Sequence, residues 1–409
     1  MLGPGLTTGA VDDDPGGIVV YSQAGAGYGF KMLWLAPFTF PLMAVVQEMC
    51  ARIGLVTGQG LAANIKQYYP KRTLYFVTAL LFFANAFNIG ADLKAMVKAT
   101  QLLFPSLGFG LLISVFVAIS LILQIFMTYQ GYAKYLKWLS LILVSYIFSA
   151  ISIQANWNEI MRQAITLSFA SSGAEVLMIM AILGTTISPY LFFWQTSQEV
   201  EEEILSGKTT IAERLGTTAD ALRKMRIDVW SGMFFSNLIM FFIIVVSGSV
   251  LFSHGITDIR TAADAAEALR PFAGEWTYVL FTLGIIGTGL LAIPVLAASA
   301  SYALSESFNW PQGLYHKLKE ASAFYGIIII SMLVGLAINF TGIDAIRALI
   351  YSAVLNGFVA PVVLILMVQI ANSKKIMGEW VNHPVIGWLG WCIAGMMAVV
   401  SVATIAVLL

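Results

Sequence analysis

The sequence predicts an all-α integral membrane protein of eleven transmembrane helices, built as two inverted repeats of five plus one further helix, with helices 1 and 6 broken. Three observations predict this. Of the 409 residues 59% are hydrophobic and only 11% charged, with a mean hydropathy of +0.83, whereas a soluble domain carries about a quarter charged residues. Apolar runs of roughly 20 residues, the length that crosses a bilayer, recur along the whole chain. Two of those runs, five spans apart, are interrupted by proline: Asp14-Pro15-Gly16-Gly17 in the first and GTTISPY, with Pro189, in the sixth.

The spans fall near 2–29, 31–55, 73–104, 108–128, 133–153, 173–205, 229–252, 276–306, 320–341, 344–371 and 385–409. We read 1–409 as a single transport domain, with the repeats at about 2–153 and 173–371 and the extra helix at about 385–409. The first span carries three consecutive carboxylates, Asp12 to Asp14, in its middle. The second begins MLWLAPFTFPLMAVV, and a polar stretch, QANWNEIMRQ, follows the fifth. The segment EVEEEILSGKTTIAERLGTTADALRKMRID after the sixth is the most charged of the chain. It reads as a cytoplasmic connector with a short helix, and its EVEEE run as a solvated helix end.

Basic residues set the orientation. Fifteen of the 22 Lys and Arg residues fall after even-numbered spans and five after odd-numbered ones, with Lys94 and Lys98 inside the third. Basic loops stay inside, so the N-terminus is expected in the cytoplasm and the C-terminus outside. The formal net charge is zero and there is no basic tract, which excludes nucleic acid as a partner. Cys50 and Cys392 lie in or beside apolar runs, too few and too buried for a disulfide framework or metal cluster. No paired nucleophile and base, metal-spaced histidines or nucleotide loop points to an enzyme. No cleavable signal precedes the first span, which starts so near residue 1 that we expect a longer natural N-terminus.

Five spans separate the breaks, so the two halves enter the membrane in opposite directions. One proline kink is commonplace. Two at corresponding positions, one of them flanked by carboxylates, point to a transporter substrate site near the bilayer midplane. Ionisable groups at that depth are costly, and unwound backbone is tolerated there only where it lines a cavity. The first break offers carbonyls and carboxylates, the second carbonyls and hydroxyls. Hard divalent cations seek such oxygens, and Mg²⁺ keeps several waters while contacting one or two carboxylates. Three Asp residues would repel the carboxylate of an amino-acid substrate.

The stretches GPG, DPGG and IVVYSQAGAGYGFKMLW, followed by ARIGLVTGQGLA, resemble the first two helices of the Nramp divalent-metal transporters, and GTTISPY resembles their sixth. The resemblance spans most of the chain and implies a LeuT-like fold, a divalent metal ion as substrate and no cofactor. In that family the first helix carries D-P-G-N and the sixth A-T-V-M-P-H or close to it. Here the Asp is Asp14, the Asn is Gly17, the Ala falls on Thr185, the Met on Ser188 and the His on Tyr190. A Met thioether is a soft ligand that favours transition metals. A hydroxyl in its place, with glycine for asparagine, makes the site harder and roomier. This pattern resembles the Nramp-related magnesium transporters, and implies passage of Mg²⁺, and also Mn²⁺, as a largely hydrated ion.

The same comparison bears on coupling. Family members resemble one another in the sixth-helix His, acids in the third helix and an arginine pair in the ninth. Here His254, His316 and His383 fall in loops, the third helix keeps one acid, Asp92, and KEASAFYGIIII in the ninth has no arginine. We therefore expect transport without a coupled proton, driven by an inside-negative potential worth about 4.6 kcal/mol per 100 mV to a divalent ion. Lys94 and Lys98 give Asp92 its expected role, as their ion-pair partner.

The expected metal site comprises Asp14, Gly17, Thr185, Ser188, Thr186 and Asn356. Asp14 stands beside the helix-breaking Pro15 and can both ligate the ion and cap the following half-helix. Asp12 and Asp13 point in different directions around the helix, so both do not reach one ion. Either one lines the inner vestibule or they are simply exposed to water. Thr185 and Ser188 share a helical face. Membrane Ser and Thr more often bond to their own helix carbonyls, so these two and Thr186 rest on the alignment with the family motif. Asn356 lies where the family places a polar cavity residue, and could equally donate a hydrogen bond between helices. Tyr190 and Trp194 read as packing or gating groups, and Asn85 and Asn88 receive no role. The competing readings are a proton-coupled Mn²⁺/Fe²⁺ transporter, a cation-coupled amino-acid transporter of the same fold, and a channel, which would need a pore ring. We expect a monomer in the lipid bilayer of a cell membrane, the bacterial inner membrane.

Overall fold

In this computed structural model, residues 3–126, 143–153 and 155–409 are described. The expected end of the fourth span and the first half of the fifth, 127–142, lie outside them. All the regular structure described is helical. The helices that matter below are α1 (Pro4–Asp12), α2 (Pro15–Tyr28), α3 (Leu35–Thr57), α4 (Leu61–Tyr68), α5 (Lys71–Leu103), α6 (Phe109–Phe126) and α7 (Val144–Ser152), followed by α8 (Gly173–Thr186), α9 (Pro189–Leu205), α10 (Ala219–Val250), α11 (Thr277–Phe308), α12 (Ser322–Ile338), α13 (Ala345–Ala371) and α14 (Pro384–Leu408).

Eight helices among the described residues are long and apolar enough to cross a membrane, with α8 and α9 counted as one. The other three expected spans are the broken first helix, in halves of 9 and 14 residues, the fifth, described only from residue 143, and α12, apolar but shorter. Observed ends lie within a few residues of expectation except for α10. That helix begins at Ala219, capped by the Thr218 hydroxyl, because the last third of the polar connector continues the membrane helix. The remainder of the connector holds the short helix Ile211–Arg214, fixed by a reciprocal Thr210–Glu213 cap.

Both breaks restart on a proline in the first helical turn, Pro15 in α2 and Pro189 in α9. There the missing N–H costs nothing and the fixed φ suits the helix. The four half-helices occupy the centre: α1 and α2 pack on α10, α2 and α8 on α13, and α9 on α3 and α11. Outside them the long α5 packs on α11, α12 and α13, and α14 lies against α13.

Three expectations are corrected. The EVEEE run is not a wholly solvated end: Glu199, Glu201 and Glu203 are buried while Glu202 is exposed, because one face of the end of α9 packs against neighbouring helices such as α3 and α11. Asp92 has no ion pair with Lys94 or Lys98. Residues two apart on a helix face different ways, and Lys94 instead donates to the Ile343 carbonyl while Lys98 reaches Gln101 at 3.3 Å. Cys392 is exposed on α14 while Cys50 is buried, and both are free thiols.

Candidate metal-transport site

The chain leaves helical geometry at Asp13 (φ −84°, ψ 53°), is extended at Asp14 (φ −67°, ψ 173°) and re-enters a helix at Pro15. Asp14 is the N-cap of α2, its Oδ1 accepting from the Gly17 amide at 2.7 Å. Its other oxygen accepts from Asn88 Nδ2 of α5 at 3.3 Å. The same amide nitrogen donates to Asp92 Oδ2 at 2.9 Å. Asn88 Oδ1 accepts from Ser352 Oγ and from Asn356 Nδ2, the latter at 3.0 Å. Two N–H groups and two lone pairs are all that an asparagine side chain offers, so Asn88 is fully used. It joins α2, α5 and α13 at one point.

Asp12 and Asp13 are buried as well. Ser236 Oγ of α10 donates to Asp12 Oδ2 at 2.6 Å and lies 3.4 Å from Asp13 Oδ1. The expectation that the two diverge assumed an intact helix. Because the helix ends between them, both face the same hydroxyl, and neither is exposed to water.

The second break approaches the first at Gly17. A Cβ placed on Gly17 would sit 3.3 Å from Thr185 Oγ1 and 3.3 Å from the Asp12 carbonyl, so the half-helices meet there at a separation that a side chain would crowd. Ser188 is the N-cap of α9 but its side chain turns backwards, its Oγ 2.8 Å from both the Gly184 and Thr185 carbonyls. Thr186 donates to Ile182 O at 2.9 Å and reaches Leu183 O at 3.3 Å. Asp14, Gly17 and Thr185 are thus brought to one place, with Asn356 joined to them through Asn88. Ser188 stands in the break with its proton engaged, and the contacts of Thr186 are with its own helix. Tyr190 and Trp194 are buried, Tyr190 Oη lying 3.5 Å from the Val11 carbonyl.

Asp12 Oδ1, Asp92 Oδ1 and Asn356 Oδ1 are buried without a hydrogen-bond donor. Buried acceptors ordinarily have partners, and oxygens left open around a carboxylate are suited to a cation and the waters it carries. Among the described residues no group of three His, Cys, Asp or Glu side chains could hold a metal ion by itself. An ion at Asp14 would therefore take carbonyls, hydroxyls and water as its remaining ligands.

Sequence reasoning missed Asn88 as the hub, Ser352 as its neighbour, and Ser236 as the partner of Asp12. One signal was available: Asn88 and Asp92 are four apart on α5 and so share a face.

The family model for natural resistance-associated macrophage protein-like proteins, Nramp, matches residues 5–407. The chain belongs to the Nramp family. The divalent metal cation transporter MntH of Aeromonas hydrophila is 23% identical, over 97% of this chain and 93% of the relative. A solved structure of the Eremococcus coleocola manganese transporter superposes with a TM-score of 0.74 at 18% identity, covering 98% of this chain and 84% of the other. The inward-facing form of Mhp1 gives 0.57 at 13% identity, over 99% and 90%. These likenesses place the Nramp chain in the all-α LeuT-like fold. It is a multi-pass membrane protein and a metal-ion transporter rather than an enzyme, and the ion is cargo, not a resident cofactor.

Proposed function

We propose that this Nramp protein carries Mg²⁺, and also Mn²⁺, into the cell as a largely hydrated ion, drawn by the membrane potential and without a coupled proton. The observation that supports this reading most strongly is the hard-donor character of the two breaks, where Gly17 and Ser188 stand in place of the family motif's Asn and Met and the Ser188 hydroxyl lies among backbone carbonyls. The side chains hydrogen-bonded to Asp12, Asp14 and Asn88 offer oxygen or amide nitrogen, and none of them is a thioether or imidazole. Hard ligands suit an ion that dehydrates reluctantly. Asp14, Thr185 and Ser188 with backbone carbonyls form the site, Gly17 lets the two half-helices meet closely, Asn356 acts through Asn88, and Thr186 supports the half-helix. The protein works as a monomer in the cell membrane, N-terminus cytoplasmic and C-terminus outside. Uptake into proteoliposomes, with Mg²⁺, Mn²⁺ and amino acids offered separately, tests the reading. Mg²⁺ and Mn²⁺ enter and amino acids do not; an Mn²⁺-only carrier would contradict it.

A further inference from the structure

A cavity of about 210 Å³ lies where the chain turns after α3, α9 and α11, well apart from the Asp14 break. Two carboxylates line it, Glu201 of α9 at 7% exposure and Glu306 of α11 at 5%. Among the described residues neither has an ion-pair partner, and both are held by neutral donors. Glu201 Oε1 accepts from the Tyr302 hydroxyl and, at 2.6 Å, from the Leu314 amide, while its Oε2 receives no hydrogen bond. Glu306 Oε2 accepts from the Ala63 amide at 2.9 Å, and its Oε1 from Gln312 Nε2 at 3.3 Å and Ser197 Oγ at 3.4 Å. The Gln312 amide oxygen is itself buried without a donor. Of the nearby cations, Arg214 donates to the carbonyls of Gly58, Lys208 and Thr209 at 2.9 to 3.1 Å and Lys66 to the Glu306 main-chain carbonyl at 3.4 Å, so neither forms an ion pair with either acid.

Two buried acids with unanswered charge, a free carboxylate oxygen and a free amide oxygen make a set of hard donors facing one space. At about 30 Å³ per water the cavity holds roughly seven, enough for a cation that keeps part of its hydration shell. We propose that this cavity is a second divalent-cation site, with Glu201 Oε2, Gln312 Oε1 and the Glu306 carboxylate as ligands directly or through water. The inference rests on the reading of the cargo as a hard divalent ion. It adds a station at the ends of the second, sixth and eighth spans, the side on which that reading has the ion released.

The test is equilibrium binding of Mn²⁺ to the purified full chain in nanodiscs, read from the loss of the free-ion magnetic resonance signal. Wild type binds two ions per chain, Asp14→Ala one, Glu201→Gln/Glu306→Gln one, and the combined variant none. Gln312→Leu, which leaves every charge in place, weakens one of the two ions at least threefold. Terbium luminescence sensitised by Trp310 and Tyr315, which line the cavity, persists in Asp14→Ala and is lost in Glu201→Gln/Glu306→Gln. Two ions bound by the double-Gln variant, or none by Asp14→Ala, would overturn the proposal. One ion in wild type that disappears with Asp14→Ala refutes the cavity site and leaves the central reading intact. One ion that survives Asp14→Ala and disappears with the double-Gln variant does the reverse.

Discussion

Asn88 carries more of the site than any residue other than Asp14, because a single amide holds two carboxylates and is itself held by Ser352 and Asn356. Removing a hydrogen-bond partner from a buried acceptor costs about 1–3 kcal/mol, and more when that acceptor is charged. Asn88→Ala therefore lowers divalent uptake at least tenfold while the protein remains monodisperse on gel filtration; uptake within twofold of wild type would remove Asn88 from the site. Asp14→Ala abolishes uptake outright, since the charge that balances the ion is gone, and the same uptake assay checks it. Asp14 was legible in the sequence as a carboxylate beside a helix-breaking proline, a position that caps the half-helix that follows, as it does here. Asn88 was not, because an asparagine in a membrane helix can bond to any neighbouring helix, and only the packing of α2 and α13 against α5 says which.

The two breaks are built differently. Asp14 turns forward and caps the half-helix that follows it, whereas Ser188 turns back onto the carbonyls that precede it. Gly17→Asn together with Ser188→Met adds an amide and a soft thioether ligand at the two breaks, so Mn²⁺ or Cd²⁺ transport gains on Mg²⁺ by about tenfold in competition uptake. An unchanged preference would place selectivity elsewhere in the cavity. Half-helix α1 rests on α10 through close backbone contact: a Cβ on Gly232 would come within 2.2 Å of the Gly5 carbonyl. Asp228 of α10 accepts from the Gly3 and Gly5 amides at 3.1 and 2.6 Å at the same end. Overpacking costs typically 1–3 kcal/mol, so Gly232→Val lowers the thermal midpoint of the purified protein by several degrees; an unchanged midpoint would mean that α1 is not seated there. The breaks themselves were legible as paired prolines. The fate of Asp12 and Asp13 was not, since helical angles cease to apply where the helix ends.

Across the whole molecule, hydropathy located the spans well because a bilayer fixes their length. It misjudged the charged end of α9, where composition reads as solvated and packing buries Glu199, Glu201 and Glu203. Local charge density says nothing of what the neighbouring helices cover. Asp92 was likewise assigned to the lysines nearest in sequence, while the fold gives it to Asn88. That arrangement joins Asp92 to Asp14 through one amide, and the proposed function assigns it no coupled proton. A divalent ion needs no such partner, because an inside-negative potential of 100 mV supplies about 4.6 kcal/mol, more than a thousandfold accumulation.

Uncoupled entry of a hard divalent ion is therefore the central claim, and proteoliposomes loaded with a pH-sensitive dye test it most directly. An inside-negative potential is imposed and Mg²⁺ or Mn²⁺ is added outside, with Asp14→Ala as control. The account predicts metal uptake with no change in luminal pH. Metal-dependent acidification of the lumen, absent in Asp14→Ala, would contradict it and make Asp92 or Asp14 the proton carrier.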